Sequence, residues 1–346
     1  MFTLHPFTAR GRALAALPHC YADSCVTVGF FDGVHRGHRF LLDRLKEEAA
    51  QRGLSPVAVT FDEHPRLVLS PEGYWPQLIT TTEEKLALLA ESGIDACAVL
   101  HFTPETARLT SAEFMEQLLL KQLGAKCLMA GYDHRFGSDR EAGFAQYAAT
   151  GRRLGMDVLR APAFSTADLT VSSSAARRML AAGNVAGAYE CLGRYYRLTG
   201  TVEEGRHVGR EVGFPTANLA PDSTEKIVPG RGVYAIRAYV DGFAYEGMLN
   251  IGRRPTLNDG RGQTIEAHLF DYDGTPLYGR RLTLEFVARV RDEQQFASLD
   301  ELRAQLKKDA ETVRGIFATF VQGESRSQVH SGYAEPQPKV HLYENN

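Results

Sequence analysis

The spacing of hydrophobic and polar positions changes along this chain and predicts two different architectures. Between Cys25 and about Gly183, short apolar runs alternate with segments whose apolar residues recur every three to four positions. The apolar runs predict strands at 25–29, 57–61, 96–102, 126–131 and 157–160. The segments between them predict helices at 38–52, 82–92, 111–123 and 142–154. This alternation is typical of a parallel sheet with flanking helices, a Rossmann-like α/β fold.

The pattern after about residue 195 predicts a small antiparallel β-barrel. Segments rich in Val, Tyr and Thr are separated there by Gly, Pro and Asp-Gly turns. The predicted strands are 195–203, 232–240, 244–251, 264–270 and 281–290. One helix follows from Leu299 to about Phe320, with Ser298 as its N-cap and Glu301 three residues later.

The two patterns predict a division into domains. We expect an α/β domain over 1–182, a barrel domain with a C-terminal helix over 183–322, and a poorly ordered tail over 323–346, which lacks periodicity. A length of 346 residues also favours two domains. Since each pattern is self-sufficient, we expect the halves to fold and work separately.

Composition narrows the classes of function. The net charge is −3 and no long run of Lys or Arg occurs, so a broad surface for nucleic acid or anionic membrane is not expected. No apolar stretch approaches a membrane span of ~20 residues, and no signal-peptide pattern is present. The five cysteines lack zinc-binding spacing and predict reduced thiols without catalytic chemistry. These features predict a soluble, cytoplasmic protein.

The clearest chemical signal is the turn from the first predicted strand into the first helix. The strand ends at Gly29 and continues into FFDGVHRGH over 30–38, where helical spacing begins. The glycines let the backbone approach a phosphate closely, and the free N–H groups of a helix N-terminus attract anions. His35 and His38 can face the same bound phosphate. In an open α/β sheet, ligands bind at this carboxyl end of the strands.

This turn resembles the His-x-Gly-His motif of nucleotidyltransferases, and the first domain resembles the bacterial bifunctional riboflavin kinase/FAD synthetase family. The resemblance also rests on TFDEHP at 60–65, GYDHRFG at 131–137 and VSSSAAR at 171–177. It implies that an FMN phosphate oxygen attacks the α-phosphorus of ATP and that pyrophosphate leaves. A phosphate monoester is already ionised near pH 7, so the reaction needs positioning and charge neutralisation rather than a base.

The resemblance also implies which residues act in this first site. His35 and His38 are expected to be catalytic. Contacts with ATP or its phosphates are expected from Gly29, Phe31, Asp32, Gly33, Gly37, Ser173, Ser174 and Arg177. Asp62 and Asp133 are expected to contact the flavin, with adenine as the alternative for Asp133.

From the residues alone, simpler interpretations stay open at several of these positions. The serines and Arg177 also fit a helix N-cap followed by a solvated arginine, and Asp62 also fits a turn that caps a strand. Two positions depart from the usual family pattern. Ser174 replaces Thr and keeps the hydroxyl, whereas His134 replaces Phe and changes a position near the expected flavin contacts.

A second candidate site lies at the start of the barrel half. The glycine-punctuated basic loop GRHVGREVG over 205–213 runs into FPTAN over 214–218. Pro215 fixes the backbone just before the hydroxyl of Thr216 and the amide of Asn218. Hydroxyl and amide oxygens are suitable ligands for Mg²⁺. By itself, the loop fits a mobile hairpin equally well.

The loop is followed by RGVYA at 231–235, NIGRRPT at 250–256 and EAHLF at 266–270, and this order resembles the riboflavin kinase domain of the same family. The resemblance implies that Thr216 and Asn218 hold Mg²⁺ and the ATP phosphates. Further ATP contacts are expected from Gly209, Arg210 and Pro215, and a flavin contact from Asn250.

Glu266 is expected to be the catalytic base of this second site. The ribityl hydroxyl of riboflavin is a neutral alcohol, so it benefits from a positioned base when it attacks the γ-phosphate. The strand pattern alone also fits an outward-facing glutamate without a role. His268 lies on the same face two residues later and is interpreted as a structural neighbour.

The sequence therefore predicts a flavin-cofactor enzyme that phosphorylates riboflavin to FMN and adenylylates FMN to FAD. ATP and Mg²⁺ are expected, and no nucleic acid, membrane or obligate protein partner is expected.

Two alternative functions remain. Another small-molecule cytidylyl- or adenylyltransferase would share the turn but would not need the barrel. A flavin-binding regulator would share the scaffold, although every charged or hydroxyl group needed for either reaction is present. Turnover of riboflavin with ATP separates these possibilities.

Overall fold

The structure, a computed structural model, describes residues 2–6, 23–63, 77–132, 135–139, 143–165, 169–205, 208–253 and 263–324. The chain forms two compact units. The first contains Met1–Arg194 together with Ser223–Val228, and the second contains Tyr195–Asp222 and Pro229–Asn346. Residues 183–194 thus lie in the first unit, and the expected domain boundaries stay a prediction.

The first unit is built on a six-stranded sheet in the order β1-β4-β3-β2-β5-β6. Its strands are β1 (Phe2–Pro6), β2 (Ser24–Val28), β3 (Ser55–Phe61), β4 (Ala96–Leu100), β5 (Ala125–Ala130) and β6 (Asp157–Arg160). Strands β2 to β6 are parallel, and β1 pairs antiparallel with β4 at the edge. Every residue of β2 and of β4 is buried, as expected for central strands covered on both faces.

Helices connect and cover these strands. They are α1 (Arg36–Arg52), α2 (Thr82–Glu91), α3 (Pro104–Arg108), α4 (Ser111–Glu113, continuing as the π-helical Phe114–Leu120 and then Lys121–Leu123), α5 (Phe144–Leu154), α6 (Ser173–Ala181) and α7 (Val185–Leu192). Local signals fix their ends. Thr81 and Glu84 form a capping box at the start of α2, and Gly53 adopts a left-handed conformation at the end of α1.

The predicted parallel sheet with flanking helices is confirmed, and each of the five predicted strands occurs within one or two residues of its expected place. The edge strand β1 was not predicted. It has only five residues, and it is held by its pairing with β4 rather than by a local pattern. Helix α7 was also not predicted; it begins at the N-cap Asn184, whose side chain accepts a hydrogen bond from the N–H of Gly187.

The second unit is a closed antiparallel barrel in the order β10-β11-β8-β7-β12-β9. Its strands are β7 (Tyr196–Glu203), β8 (Ala217–Pro221), β9 (Gly232–Val240), β10 (Phe243–Arg253), β11 (Gln263–Leu269) and β12 (Arg281–Arg291). The short helix α8 (Val208–Glu211) lies between β7 and β8. The barrel is confirmed. Strand β8 was missed because its residues are poor strand formers, and the ladders with β7 and β11 stabilise it instead.

The C-terminal helix α9 (Leu299–Glu324) packs on the barrel. Val313 and Phe317 form a buried cluster with Met248, Phe270 and Val287 of the barrel half. The helix extends further than residue 320, where it was expected to end. From residue 325 onward, the expected tail lies outside the described residues.

Within the described parts of the chain, none of the helices combines the length and apolar character needed to span a membrane. Cys25, Cys97, Cys127 and Cys191 are buried free thiols, in agreement with the prediction for them. Cys20 lies outside the described residues.

Candidate active sites

The turn after β2 has a tightly constrained backbone. Phe31 and Val34 have φ angles of 55° and 35°, and such left-handed conformations are uncommon for residues with a side chain. Gly29 has to be a glycine, because a Cβ atom there would lie 2.9 Å from the ring of Phe31. The ring of Phe31 is almost completely buried and anchors the turn. Packing of the Phe31 ring therefore stabilises this strained backbone, which lies next to the N-terminus of α1.

His35 is the N-cap of α1, and its Nδ1 atom accepts a hydrogen bond of 3.2 Å from the backbone N–H of His38. Burial lowers the pKa of His35 to about 4, although the nearby Asp32 acts to raise it. The imidazole is therefore neutral at pH 7. Because Nδ1 is an acceptor, the ring proton is on Nε2. His35 can thus donate one hydrogen bond from Nε2 without carrying a charge.

The ring of His38 stacks on that of His35, with 3.6 Å between the ring centroids and an interplanar angle of 16°. It also meets the ring of Phe31 edge to face at 5.0 Å. Gly37 allows this stacking, because a Cβ atom at Gly37 would be 3.2 Å from the ring of His35. The structure therefore brings the two predicted histidines together at the start of a helix.

The lowered pKa of His35 leads to a prediction of how the free energy of unfolding depends on pH. The folded pKa of about 4 lies below the ordinary value of 6.5, so the unfolded chain binds one more proton between these values. The contribution of His35 to the free energy of unfolding is therefore fully present above the unfolded pKa. It is lost as the pH falls through the folded pKa, and the loss is roughly 3 kcal/mol in total. In His35→Asn, which keeps a capping acceptor but does not titrate, the free energy of unfolding should depend less steeply on pH. Urea unfolding between about pH 7.5 and 4.5 measures this slope; equal slopes would contradict the assignment.

Asp32 connects the turn to two other segments. Its carboxylate is buried and accepts hydrogen bonds from the N–H groups of Ile79 and Thr80, at 3.0 and 3.1 Å. The guanidinium of Arg177 donates to the same carboxylate from Nε and Nη2, at 3.2 and 3.0 Å. All of these hydrogen-bond donors to Asp32 are groups of the protein. Asp32 therefore holds Arg177 beside the turn and orients it.

Helix α6 brings the predicted serines to the same place. Ser172 caps the helix by accepting a hydrogen bond from the N–H of Ala175. The hydroxyl of Ser173 donates to the backbone carbonyl of Asp32 at 2.8 Å. Ser174 is exposed, so its hydroxyl is accessible to a ligand. The N-terminus of α6 thus joins that of α1 around the turn.

Two more residues support this site, and the sequence analysis missed both. Arg194 donates from Nη2 to the carbonyl of Gly33 at 2.7 Å. Lys85 is buried and donates from Nζ to the carbonyl of Phe61 at 2.7 Å, and its ammonium lies 4.3 Å from the centroid of the Phe30 ring. Burial lowers the pKa of Lys85 to about 8. Its place in the apolar stripe of α2 with Leu88 could have revealed it.

Asp62 lies at the end of β3 and contacts the segment after β4. Its carboxylate is hydrogen-bonded to Nδ1 of His101 and accepts a hydrogen bond of 3.1 Å from the N–H of Phe102. Burial acts to raise the pKa of Asp62, but these hydrogen bonds outweigh it and keep the pKa below its ordinary value. The carboxylate is therefore ionised at pH 7 at the carboxyl edge of the sheet. A flavin contact of Asp62 stays a prediction.

A cavity of about 220 Å³ opens beyond the carboxyl ends of β5 and β6. Tyr132 and Phe144 line it, and the guanidinium of Arg160 lies 4.5 Å from the ring centroid of Tyr132. Arg160 also donates to the backbone carbonyl of Tyr132 at 2.8 Å. Asp133 and His134 directly follow Tyr132 but lie outside the described residues.

In the barrel, strand register aligns the predicted residues of the second site. Asn218 of β8 is paired with Glu266 of β11, and Glu266 is paired with Asn250 of β10. Directly paired residues of antiparallel strands project to the same face. The three residues thus form one row across three strands, on the half-exposed face of the barrel, whereas the neighbouring Ile265 and Ala267 are buried.

Glycines allow the preceding loop to approach this row. A Cβ atom at Gly205 would lie 2.0 Å from Nδ2 of Asn218, and one at Gly209 would lie 2.3 Å from the carbonyl of Phe214 and 3.2 Å from Oγ1 of Thr216. A side chain at Gly209 would therefore collide with the backbone of Phe214, and one at Gly205 would displace the amide of Asn218. Arg210 lies in α8, but its side chain lies outside the described residues.

His268 holds the loop from the barrel side. Its Nδ1 atom lies 2.8 Å from the carbonyl of Pro215. A carbonyl oxygen can only accept, so Nδ1 carries the proton. Burial lowers the pKa of His268, which keeps the ring neutral at pH 7. His268 therefore fixes the residue before Thr216, and its interpretation as a structural neighbour of Glu266 stays a prediction.

The oxygen atoms near this row suit Mg²⁺. Mg²⁺ keeps several waters and is bound by few protein ligands together with substrate phosphates. Thr216 and Asn218 offer a hydroxyl and an amide oxygen beside a glycine-lined approach. Among the described residues, no group of three or more His, Cys, Asp or Glu side chains could hold a metal by itself. The residues present therefore fit a metal that arrives with a nucleotide.

The first unit has a helix start suited to phosphate on a parallel sheet, and the barrel has a row of an amide, a carboxylate and an amide beside the hydroxyl of Thr216. These features define the class as a nucleotide-dependent transferase with two sites. The FAD synthetase family model matches residues 17–175, and the riboflavin kinase family model matches residues 192–317. The chain belongs to the family of bifunctional riboflavin kinase/FMN adenylyltransferases, as its sequence predicted.

Two curated relatives carry the name of this family, and one solved structure with a different description is similar to the chain. The bifunctional riboflavin kinase/FMN adenylyltransferase of Escherichia coli (strain K12) is 39% identical over 308 residues, which cover 88% of this chain and 97% of the relative. The protein of the same name from Pseudomonas fluorescens is 37% identical over 302 residues, covering 85% and 93%. A crystal structure from Streptococcus pneumoniae, described as a macrolide-efflux protein, has a TM-score of 0.76 at 31% identity and covers 85% of this chain and 94% of that chain.

Proposed function

We propose that the first unit adenylylates FMN at the turn after β2 and that the barrel phosphorylates riboflavin at the row containing Glu266. ATP donates its adenylyl group in the first reaction and its γ-phosphoryl group in the second. The observation that carries this proposal is the register of β8, β11 and β10, which places an amide, a carboxylate and an amide side by side on one face. Transfer of a phosphoryl group to a neutral hydroxyl benefits from a positioned base, whereas binding alone does not need one.

In the first unit, an oxygen of the FMN phosphate forms a bond to the α-phosphorus of ATP. The bond from that phosphorus to the bridging oxygen breaks, and pyrophosphate leaves. We assign three donors to the negative charge that develops: Nε2–H of His35, the ring of His38 and the guanidinium of Arg177. The carboxyl oxygens of Asp32 are engaged by protein donors, so its role is to hold Arg177 rather than to contact phosphate.

Ser173 and Ser174 have different roles in this proposal. The hydroxyl of Ser173 already donates to the carbonyl of Asp32 and keeps α6 against the turn. The exposed hydroxyl of Ser174 contacts a phosphate oxygen of ATP. Gly29, Gly33 and Gly37 shape the backbone that receives the phosphates. Asp62 and Asp133 contact the flavin in this proposal.

In the barrel, the ribityl hydroxyl of riboflavin attacks the γ-phosphorus of ATP. Its proton moves to the carboxylate of Glu266, and ADP leaves. Thr216 and Asn218 would hold Mg²⁺, which neutralises phosphate charge when it is bound. Asn250 positions the flavin beside Glu266, and the loop with Gly209, Arg210 and Pro215 surrounds the phosphates.

The assignment of one reaction to each unit predicts which flavins the intact chain and its barrel fragment produce. The intact chain, given riboflavin and ATP, should make FMN and then FAD, whereas the fragment 183–322 should make FMN only. Chromatographic separation of the flavins measures both products. A fragment that folds, as judged by circular dichroism, but makes no FMN would show that kinase chemistry does not reside in the barrel. An intact chain that makes neither product would overturn the proposed function.

A further inference from the structure

The first unit contains a short piece of chain that comes from the middle of the barrel sequence. Residues Ser223–Val228 belong to the first unit, whereas the chain before and after them, including β8 and β9, belongs to the second. We call residues 223–228 the strap. Its sequence gives no sign of this placement, because the residues lie between two barrel strands.

The strap is hydrogen-bonded to the backbone of Leu78 on both sides. The N–H of Leu78 donates to the carbonyl of Glu225 at 2.7 Å, and the N–H of Ile227 donates to the carbonyl of Leu78 at 2.9 Å. Lys226 and Leu78 form a parallel β-bridge. The side chain of Ile227 is buried as well. The strap therefore fixes the position of Leu78 through the backbone.

An ion pair between a buried lysine and a partly exposed glutamate attaches the strap a second time. The side chain of Lys226 is only 4% exposed, and its ammonium pairs with Oε1 of Glu84. The other oxygen of Glu84 accepts a hydrogen bond of 3.0 Å from the N–H of Thr81, which closes the capping box of α2. A buried ammonium requires a partner, since its desolvation costs several kcal/mol when uncompensated. Lys226 and Glu84 thus lock the start of α2 to the strap.

The residues between these two attachment points hold Asp32. The N–H groups of Ile79 and Thr80 donate to its carboxylate, and the hydroxyl of Thr80 accepts from the N–H of Gly33 at 3.0 Å. Asp32 in turn orients Arg177. The backbone of residues 78–80 is therefore hydrogen-bonded to the strap at Leu78 and to the turn that carries His35 at Ile79 and Thr80.

We propose that the strap is a positioning element of the adenylylation site, with Lys226 and Glu84 as its positioning residues. The inference rests on the assignment of FMN adenylylation to the first unit. The strap does not touch the reacting atoms; it fixes residues 78–81 and thereby the placement of Asp32, Arg177 and the histidine turn. FMN adenylylation accordingly depends on residues that the sequence places inside the riboflavin kinase region, which the matching family model spans from 192 to 317.

Three full-length variants test this inference. Lys226→Met keeps the apolar stem and removes the charge, Lys226→Arg keeps the charge, and Lys121→Met is the matched control. Lys121 is 63% exposed and forms a surface pair with Glu116 in the same unit. For each variant, kcat and KM of FMN adenylylation are measured together with riboflavin phosphorylation.

In Lys226→Met we expect kcat of FMN adenylylation to fall by ~10–10²-fold, because small displacements of aligned groups have effects of this size. The KM for ATP should change much less, since the loss is in transition-state positioning. Lys226→Arg should recover most of the rate, Lys121→Met should behave as wild type, and riboflavin phosphorylation should be unchanged in all three.

Other outcomes would overturn the inference. An unchanged kcat in Lys226→Met would show that the strap is only a structural contact. A loss of kcat that equals the fraction of unfolded protein in a thermal unfolding curve would show the same. If Lys226→Met does not fold, Glu84→Gln keeps an acceptor for the N–H of Thr81 and weakens the pair; an unchanged kcat in that variant would overturn the inference too. A wild-type protein that makes no FAD from FMN would instead refute the proposed function.

Discussion

Glu266→Gln should reduce FMN formation by ~10²–10⁴-fold, the range typical for loss of a general base. The exchange keeps the size and hydrogen-bonding capacity of the side chain but removes its ability to accept the proton of the ribityl hydroxyl. Glu266 lies between Asn218 and Asn250 in the strand register, so the amide of Gln can still bind beside them. The rate of FMN formation from riboflavin and ATP, measured by chromatography, tests this.

Adenylylation provides an internal control for that variant. FAD made from supplied FMN should be unaffected, because an ionised phosphate needs no base. Glu246→Gln is a matched control: Glu246 is an exposed carboxylate of strand β10, and its exchange should leave both reactions unchanged. A Glu266→Gln enzyme that phosphorylates riboflavin at nearly the wild-type rate would refute the base assignment and leave the rest of the proposal intact.

His38→Ala should reduce FAD formation from FMN by ~10²–10³-fold, the typical effect of losing one preorganised donor to a transferring group. The double exchange with His35→Ala should abolish it. His38 stacks on His35 at 3.6 Å, so its removal also takes away the packing that orients the neutral His35 ring. Steady-state kinetics with FMN and ATP measure the loss.

The barrel reaction and a surface variant separate chemistry from folding in this experiment. FMN formation from riboflavin should stay nearly intact in both histidine variants. Arg44→Ala, which removes an exposed side chain paired with Glu47 on the same helix, should keep both activities. An equal loss of FMN and FAD formation in His38→Ala would point to a folding defect or to a shared site.

Local patterns in the sequence were sufficient to predict both folds and most of their elements. The alternation of buried strands and amphipathic helices depends on residues close to one another in the chain, and so does the strand-to-helix turn with its glycines and histidines. The barrel was predicted for the same reason, although its β8 strand was not. That strand has little intrinsic preference for its conformation, and only the ladders with β7 and β11 stabilise it.

The sequence also supplied the residues of both sites through their motifs, but not the contacts among them. That Asp32 supports Arg177 follows only from the structure, because the motif alone suggested that both residues contact phosphate. The place of Lys85 in an apolar stripe was a signal in the sequence, but the carbonyl of Phe61 that accepts its hydrogen bond is identified only by the structure.

The tertiary structure decided which distant residues meet. Glu266 is aligned with Asn218 and Asn250 by strand register, and register depends on hydrogen bonds between strands rather than on the pattern within one strand. The strap joins Leu78 through backbone hydrogen bonds, which any sequence can form and which therefore leave no trace in composition or periodicity. The sequence by itself determined the two architectures and the chemical groups, whereas only the folded chain determined how those groups are held.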